Sequence, residues 1–118
     1  MAGLTAKSFD TPDETRTPPL TTVEVVRLGA TSAARFTFQP GWRWSTAIKP
    51  VVGTASCQVR HVGAVVSGHL HVVHEDGGEG DATAGTAYVI EPGHDAWVVG
   101  DEPVVAYEFE SAESYARG

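Results

Sequence analysis

Five histidines and a single cysteine carry most of the metal-binding and nucleophilic potential of this chain. Cys57, His61, His74 and His94 are the set whose types and spacing suit one job, holding a divalent transition metal. Such an ion takes three or four donors at ~2.0–2.3 Å, and imidazole nitrogen and thiolate sulfur are common ones. His61 and His74 form the strongest pair if they oppose each other across two antiparallel strands, which would hold their Cβ atoms ~5 Å apart. Cys57 lies four residues before His61, ~13 Å along a straight strand, so it joins only if the chain bends or bulges between them. The same distance separates a Cys57 nucleophile from a His61 base. His94 depends on how the Pro92-Gly93 turn aims it. The structural alternative is a neutral histidine hydrogen-bonded in a polar cavity, with a buried cysteine acting as a small hydrophobe.

Trp42, Trp44, Tyr88 and Trp97 form a second constellation, able to line a barrel mouth and enclose a small organic ligand. Core packing is the alternative for each of them. Trp42 and Trp44 flank Arg43 and so share a face in an extended chain. Asp95, beside His94, is either a carboxylate that orients an imidazole or a residue capping its own loop.

The elements that must position these groups are short and β-like. Runs at 23–28, 33–39, 47–52, 57–66, 69–75, 86–91, 95–99 and 103–110 are separated by Gly and Pro turn signals, and none keeps a helical period beyond a turn or two. Many short strands with regular breakers predict an all-β sandwich or barrel. A tight turn at Ser67-Gly68 predicts a hairpin over 57–74 in which His61 faces His74. Alternation then puts Cys57, His61, Leu70, Val72 and His74 on the inner face and His69 and His71 outside. Residues 1–19, rich in Thr, Asp and Pro, read as a loose arm or an edge-pairing segment. The barrel is expected over 20–110, followed by a tail at 111–118.

The run from Gly53 to Trp97 resembles the two motifs of the cupin superfamily, and PGHDAWVVGDEP (92–103), GWRWS (41–45) and Lys49-Pro50 resemble a subgroup of small single-domain bacterial cupins. Counting back from Gly68, the acidic ligand position of the first motif falls on His61, its second histidine on Cys57 and its first on Ala55. In the second motif Gly85 and Gly93 fit, the proline stands at Pro92, and the ligand position falls on Ala96 with His94 two residues earlier. The resemblance covers about residues 20–110. It implies a cupin double-stranded β-helix, a jelly-roll-like antiparallel barrel. It also implies a metal in the inner cavity, dioxygenase, isomerase or cyclase chemistry on a small organic molecule, and a homodimer.

Composition bounds the remaining choices. The 118 residues suit one domain, and 42% apolar with 19% charged residues is ordinary for a globular protein. A net charge of −7 argues against nucleic acid or an anionic membrane as partner. One cysteine excludes an intramolecular disulfide and points to a reducing, cytoplasmic setting. The first residues do not read as a secretory signal, and no apolar run has the length of a membrane span. There is no G-x-S-x-G, no P-loop and no dinucleotide fingerprint, and Gly77–Gly80 reads as an acidic loop. Two readings follow. One is a metal-dependent cupin, with Zn, Fe, Ni or Cu, acting on a neutral or cationic small molecule. The other is a non-catalytic cupin module that binds a small ligand without metal.

Overall fold

The computed structural model describes residues 3–109, Ser111 and Tyr115. Among these residues nine strands make two antiparallel sheets: β1 (Glu14–Arg16), β2 (Thr21–Leu28), β3 (Thr31–Phe38), β4 (His61–Ser67), β5 (His69–His74), β6 (Glu79–Thr83), β7 (Ala87–Ile90), β8 (His94–Val98) and β9 (Val104–Glu108). The larger sheet runs in the order β1-β2-β3-β9-β4-β7 and the smaller in the order β6-β5-β8. Apolar alternation builds the core between them, with Val23, Val25, Phe36, Phe38, Val65, Val104 and Ala106 on one side and Leu70, Ala82, Ala96 and Val98 on the other. No helix among the described residues is long and apolar enough to cross a membrane.

The expectation of an all-β chain holds, and three local expectations do not. Residues 47–52 are not a strand; they lie in two short helical turns, α1 (Trp44–Ala47) and α2 (Lys49–Val52). Pro50 stands in the first turn of α2 and Gly53, at φ 77°, closes it in the left-handed conformation. The strand expected from residue 57 begins at His61, and Cys57 is left in an isolated bridge to His94.

The third difference concerns Ser67-Gly68. β4 and β5 are not hydrogen-bonded to each other: β4 lies between β7 and β9, whereas β5 lies between β6 and β8. The chain passes from one sheet to the other at Gly68, and His61 therefore opposes Ile90 while His74 opposes His94. A turn signal marks a change of direction, and both a hairpin and a crossing between sheets use one. β6, an exposed edge strand containing Gly80 and Asp81, lies where only an acidic loop is expected from the sequence.

The start of the chain packs on the outer face of the larger sheet. Phe9 meets Tyr107 at 5.1 Å between ring centroids, Asp10 pairs with Arg35 at 2.9 Å, and β1 lines up along β2. Of segment 111–118, Ser111 and Tyr115 fall within the described residues, and both are buried. Tyr115 stacks on Phe36 at 4.8 Å, and its carbonyl accepts a hydrogen bond from Arg16.

Gly68 has a φ of 87°, and a Cβ there would stand 2.5 Å from the Pro103 carbonyl oxygen and 2.7 Å from Val104 Cα. Gly85 has a similar φ of 88° with nothing within 4 Å. Gly68→Ala should therefore lose about 2–3 kcal/mol, from overpacking added to backbone strain. Gly85→Ala should lose only about 1 kcal/mol, from the strain alone. Urea unfolding of the two variants checks the difference.

Candidate metal centre

Cys57, His61 and His94 converge in the interior. One donor atom from each lies within 4.8 Å of the others, and all three residues are buried. The bend that brings Cys57 to His61 is a local backbone event. Residues 58–60 leave the sheet, and Cys57 is anchored instead to the start of β8. Its N–H donates to the His94 carbonyl at 2.8 Å, and its own carbonyl accepts from the N–H of Gly93 at 2.7 Å. As a result Cys57 Sγ lies 3.6 Å from His61 Nε2 despite the four-residue separation.

Both imidazoles are fixed through their far nitrogens. His61 Nδ1 lies 2.6 Å from Glu108 Oε1, and His94 Nδ1 lies 2.8 Å from the Glu91 carbonyl oxygen. A carbonyl oxygen can only accept, so His94 carries a proton on Nδ1, and in the neutral ring Nε2 is the nitrogen with the lone pair. Metal-bound histidines characteristically donate their second ring N–H to a carboxylate or a carbonyl, and this structure supplies one of each. Glu108 is itself held by Tyr88 at 2.5 Å and by the Ser111 hydroxyl.

His74 stands apart from this group. Its Nε2 donates to the Pro92 carbonyl at 2.7 Å and its Nδ1 accepts from the Asp76 N–H at 3.2 Å, so both ring nitrogens are engaged at the end of β5. The aromatic constellation divides as well. Trp42 and Trp44 are buried and line a void of about 20 Å³ beside His61 and His94, together with Phe36, Phe38 and Tyr115. Tyr88 is half-buried, packs against the core and reaches Glu108 through its hydroxyl. Trp97 lies on the outer face between the Arg43 guanidinium at 4.1 Å and the His71 ring at 4.9 Å. Asp95 accepts from the Ser45 N–H at 3.1 Å at the start of α1 and contacts no imidazole.

Glu108, Tyr115 and Ser111 belong to the centre but were not singled out from the sequence. The signal for Glu108 was available: in PVVAYEFE the alternation of Val104 and Ala106 carries a carboxylate to the buried face two residues on. Tyr115 gave no such signal, because it lies beyond the last strand.

The electrostatics make the cluster self-consistent without an ion. Burial pushes the Cys57 thiol up, but the hydrogen bonds and charges of His61 and His94 outweigh it and bring it down to about 6. Burial pushes His61 down, while the neighbouring Glu108 charge and Cys57 raise it to about 9. Burial and the Glu108 charge hold the Tyr88 hydroxyl well above its usual range, so it remains a donor. A thiolate and an imidazolium thus coexist in the metal-free centre between about 6 and 9.

The two residues act on stability in opposite directions. The Cys57 contribution is complete above 9.0, its ordinary value, and fades as pH falls through about 6. The His61 contribution is complete below 6.5 and fades as pH rises through about 9. Ultraviolet thiolate absorbance of metal-free protein should therefore titrate with a midpoint near 6 rather than near 9. In Glu108→Gln the midpoint should move upward, because His61 loses the charge that keeps it cationic.

No family model and no curated protein matches the chain. Solved structures do match. A protein of unknown function from Rhizobium leguminosarum bv. viciae superposes with a TM-score of 0.64 at 18% identity, over 90% of this chain and 94% of that one. An uncharacterised conserved protein with a double-stranded β-helix domain from Klebsiella pneumoniae gives 0.58 at 18%, over 93% and 86%. KdgF from Halomonas sp. gives 0.56 at 20%, over 81% and 85%. Likeness at such low identity speaks for the fold, and with the strand order above it gives this chain the double-stranded β-helix of cupin-like proteins.

Proposed function

We propose that the protein is a metal-dependent cupin that acts on a small organic molecule, with one divalent transition metal held by Cys57, His61 and His94. The observation that carries this reading is the pair of imidazoles pinned at Nδ1, by Glu108 and by the Glu91 carbonyl, with a third donor, the Cys57 sulfur, within 4.8 Å. One sulfur and two nitrogens suit Zn, Fe, Ni or Cu rather than Mg or Ca. When bound, such an ion supplies Lewis-acid or dioxygen chemistry of the dioxygenase, isomerase or cyclase kind.

The chain's own residues supply the rest. Glu108 accepts the hydrogen bond of the His61 Nδ1–H and fixes the ring, Tyr88 and Ser111 hold Glu108, and Trp42, Trp44 and Phe38 keep bulk water out. The indole Nε1 atoms of Trp42 and Trp44 are buried without a hydrogen-bond partner among the described residues, and both rings border the 20 Å³ void. A void of that size holds about one water, and a water or similar small acceptor there would satisfy a donor otherwise left bare.

The smallness of the void favours a second reading, a metal-holding module that binds or senses a ligand without turning it over. Structural metal sites are closed, whereas catalytic ones keep a position open.

Elemental analysis of tag-free protein from metal-supplemented medium separates these readings from a metal-free barrel. About one ion per chain is expected, with loss in Cys57→Ser and His94→Ala. Less than about a tenth of an ion per chain overturns the metal. Glu108→Gln should keep the fold and weaken metal affinity about 10–100-fold, measured by competition with a chromophoric chelator. Oxygen uptake with candidate diketones, thiols and phenols then distinguishes an oxygenase from a binder.

A further inference from the structure

The inner void is far too small for an organic ligand, but a groove of about 570 Å³ opens next to it, within the range of small-molecule sites. It lies between β6 and β7, the terminal strands of the two sheets, where the barrel is not closed by hydrogen bonds. Its floor is apolar, from Val72, Ala82, Tyr88 and Ile90. Four carboxylates surround that floor: Asp76, Glu79, Asp81 and Glu91. Among the described residues that line the groove none is Lys or Arg, and His74 is the one basic side chain. Asp81 is bonded by His69 and His71 on the outer face, and Glu91 pairs with Arg60, whereas Glu79 has only a 3.5 Å approach to His71. The groove is thus an apolar slot in an acidic frame, on a chain of net charge −7.

The slot is also connected to the metal donors. Tyr88 forms part of its floor, and the Tyr88 hydroxyl donates to Glu108 Oε2, whose partner oxygen holds His61 Nδ1. Ile90 borders both the groove and the inner void.

We propose that the groove between β6 and β7 binds a small organic cation with an apolar body, its occupant lying against Tyr88 and so in contact with the chain of hydrogen bonds that orients His61. The inference deepens the small-molecule reading above and rests on it. The apolar body covers Val72 and Ile90, and the cationic head stays at the rim with Glu79 and Glu91. An anion of the same shape meets a frame in which carboxylates outnumber basic side chains.

Titration calorimetry of the full chain at low salt tests this, with phenethylamine as probe against phenethyl alcohol and phenylpropionate. The amine should bind about tenfold tighter than the alcohol, and phenylpropionate weakest. The variant Glu79→Lys changes one exposed side chain outside the metal centre and should keep its melting temperature and metal content while losing most of the preference for the amine. No saturable binding of the amine, equal binding of amine and alcohol, or an unchanged preference in Glu79→Lys overturns the proposal. In cobalt-substituted protein the amine should shift the thiolate-to-cobalt band, and the shift should vanish in Tyr88→Phe. A shift that persists in Tyr88→Phe overturns the contact with Tyr88. Failure to load cobalt or any other ion counts against the metal centre alone, because calorimetry on metal-free protein still reads the groove.

Discussion

The carboxylate of Glu108 is buried in the middle strands of the larger sheet, where ionic groups are costly unless donors replace their water. His61 of β4, Tyr88 of β7 and Ser111 beyond β9 converge on it. These contacts satisfy the charge and, in the same act, fix three pieces of chain relative to one another. The orientation of His61 follows from this, and with it the direction of the Nε2 that faces Cys57. Removing the carboxylate would leave these three donors facing one another with nothing between them. The centre is therefore built outward from an acid that is not itself one of the three converging donors.

Around that acid the two sheets divide the work. The larger sheet brings His61 and Glu108, while the smaller brings His94 and, by the backbone bridge, Cys57. The donors meet across the gap between sheets rather than along one strand. This is why the crossing at Gly68 matters to the chemistry. A hairpin there would have placed β5 beside β4 and set His74, rather than His94, next to His61.

Much of this was legible in the sequence because it rests on period and punctuation. Strands β2, β3, β5, β7, β8 and β9 lie within a residue or two of the alternating runs, and the all-β class follows from them. The inward placement of His61 and the sharing of a buried face by Trp42 and Trp44 are also consequences of alternation. What alternation cannot carry is pairing. Whether a strand's neighbour is the next one in sequence or one from the other end of the chain depends on which sheet closes the core more completely. The Ser67-Gly68 signal is the same in both cases. Edge strand β6 was hidden because an exposed, Gly-containing strand has little apolar pattern to read. Tyr115 was hidden because a single aromatic beyond the last strand has no period at all. The meeting of Cys57 with His61 was legible only as a condition, a bend, and the structure meets it by lifting 58–60 out of the sheet.

The reciprocal backbone bonds between Cys57 and the Gly93-His94 segment have a consequence for how such a centre could change over time. Two of its three donor positions are spaced by main-chain geometry, which does not depend on which side chains stand there. The bridge behaves as a socket. In the proposed metal centre, exchanging the residue at 57 or 94 for another donor would alter the hardness of the ligand set, and so the ion preferred, without disturbing the frame. With the proposed metal, such a barrel could drift between ions through one or two substitutions, provided that Glu108 and its donors stay in place to aim the third donor, His61.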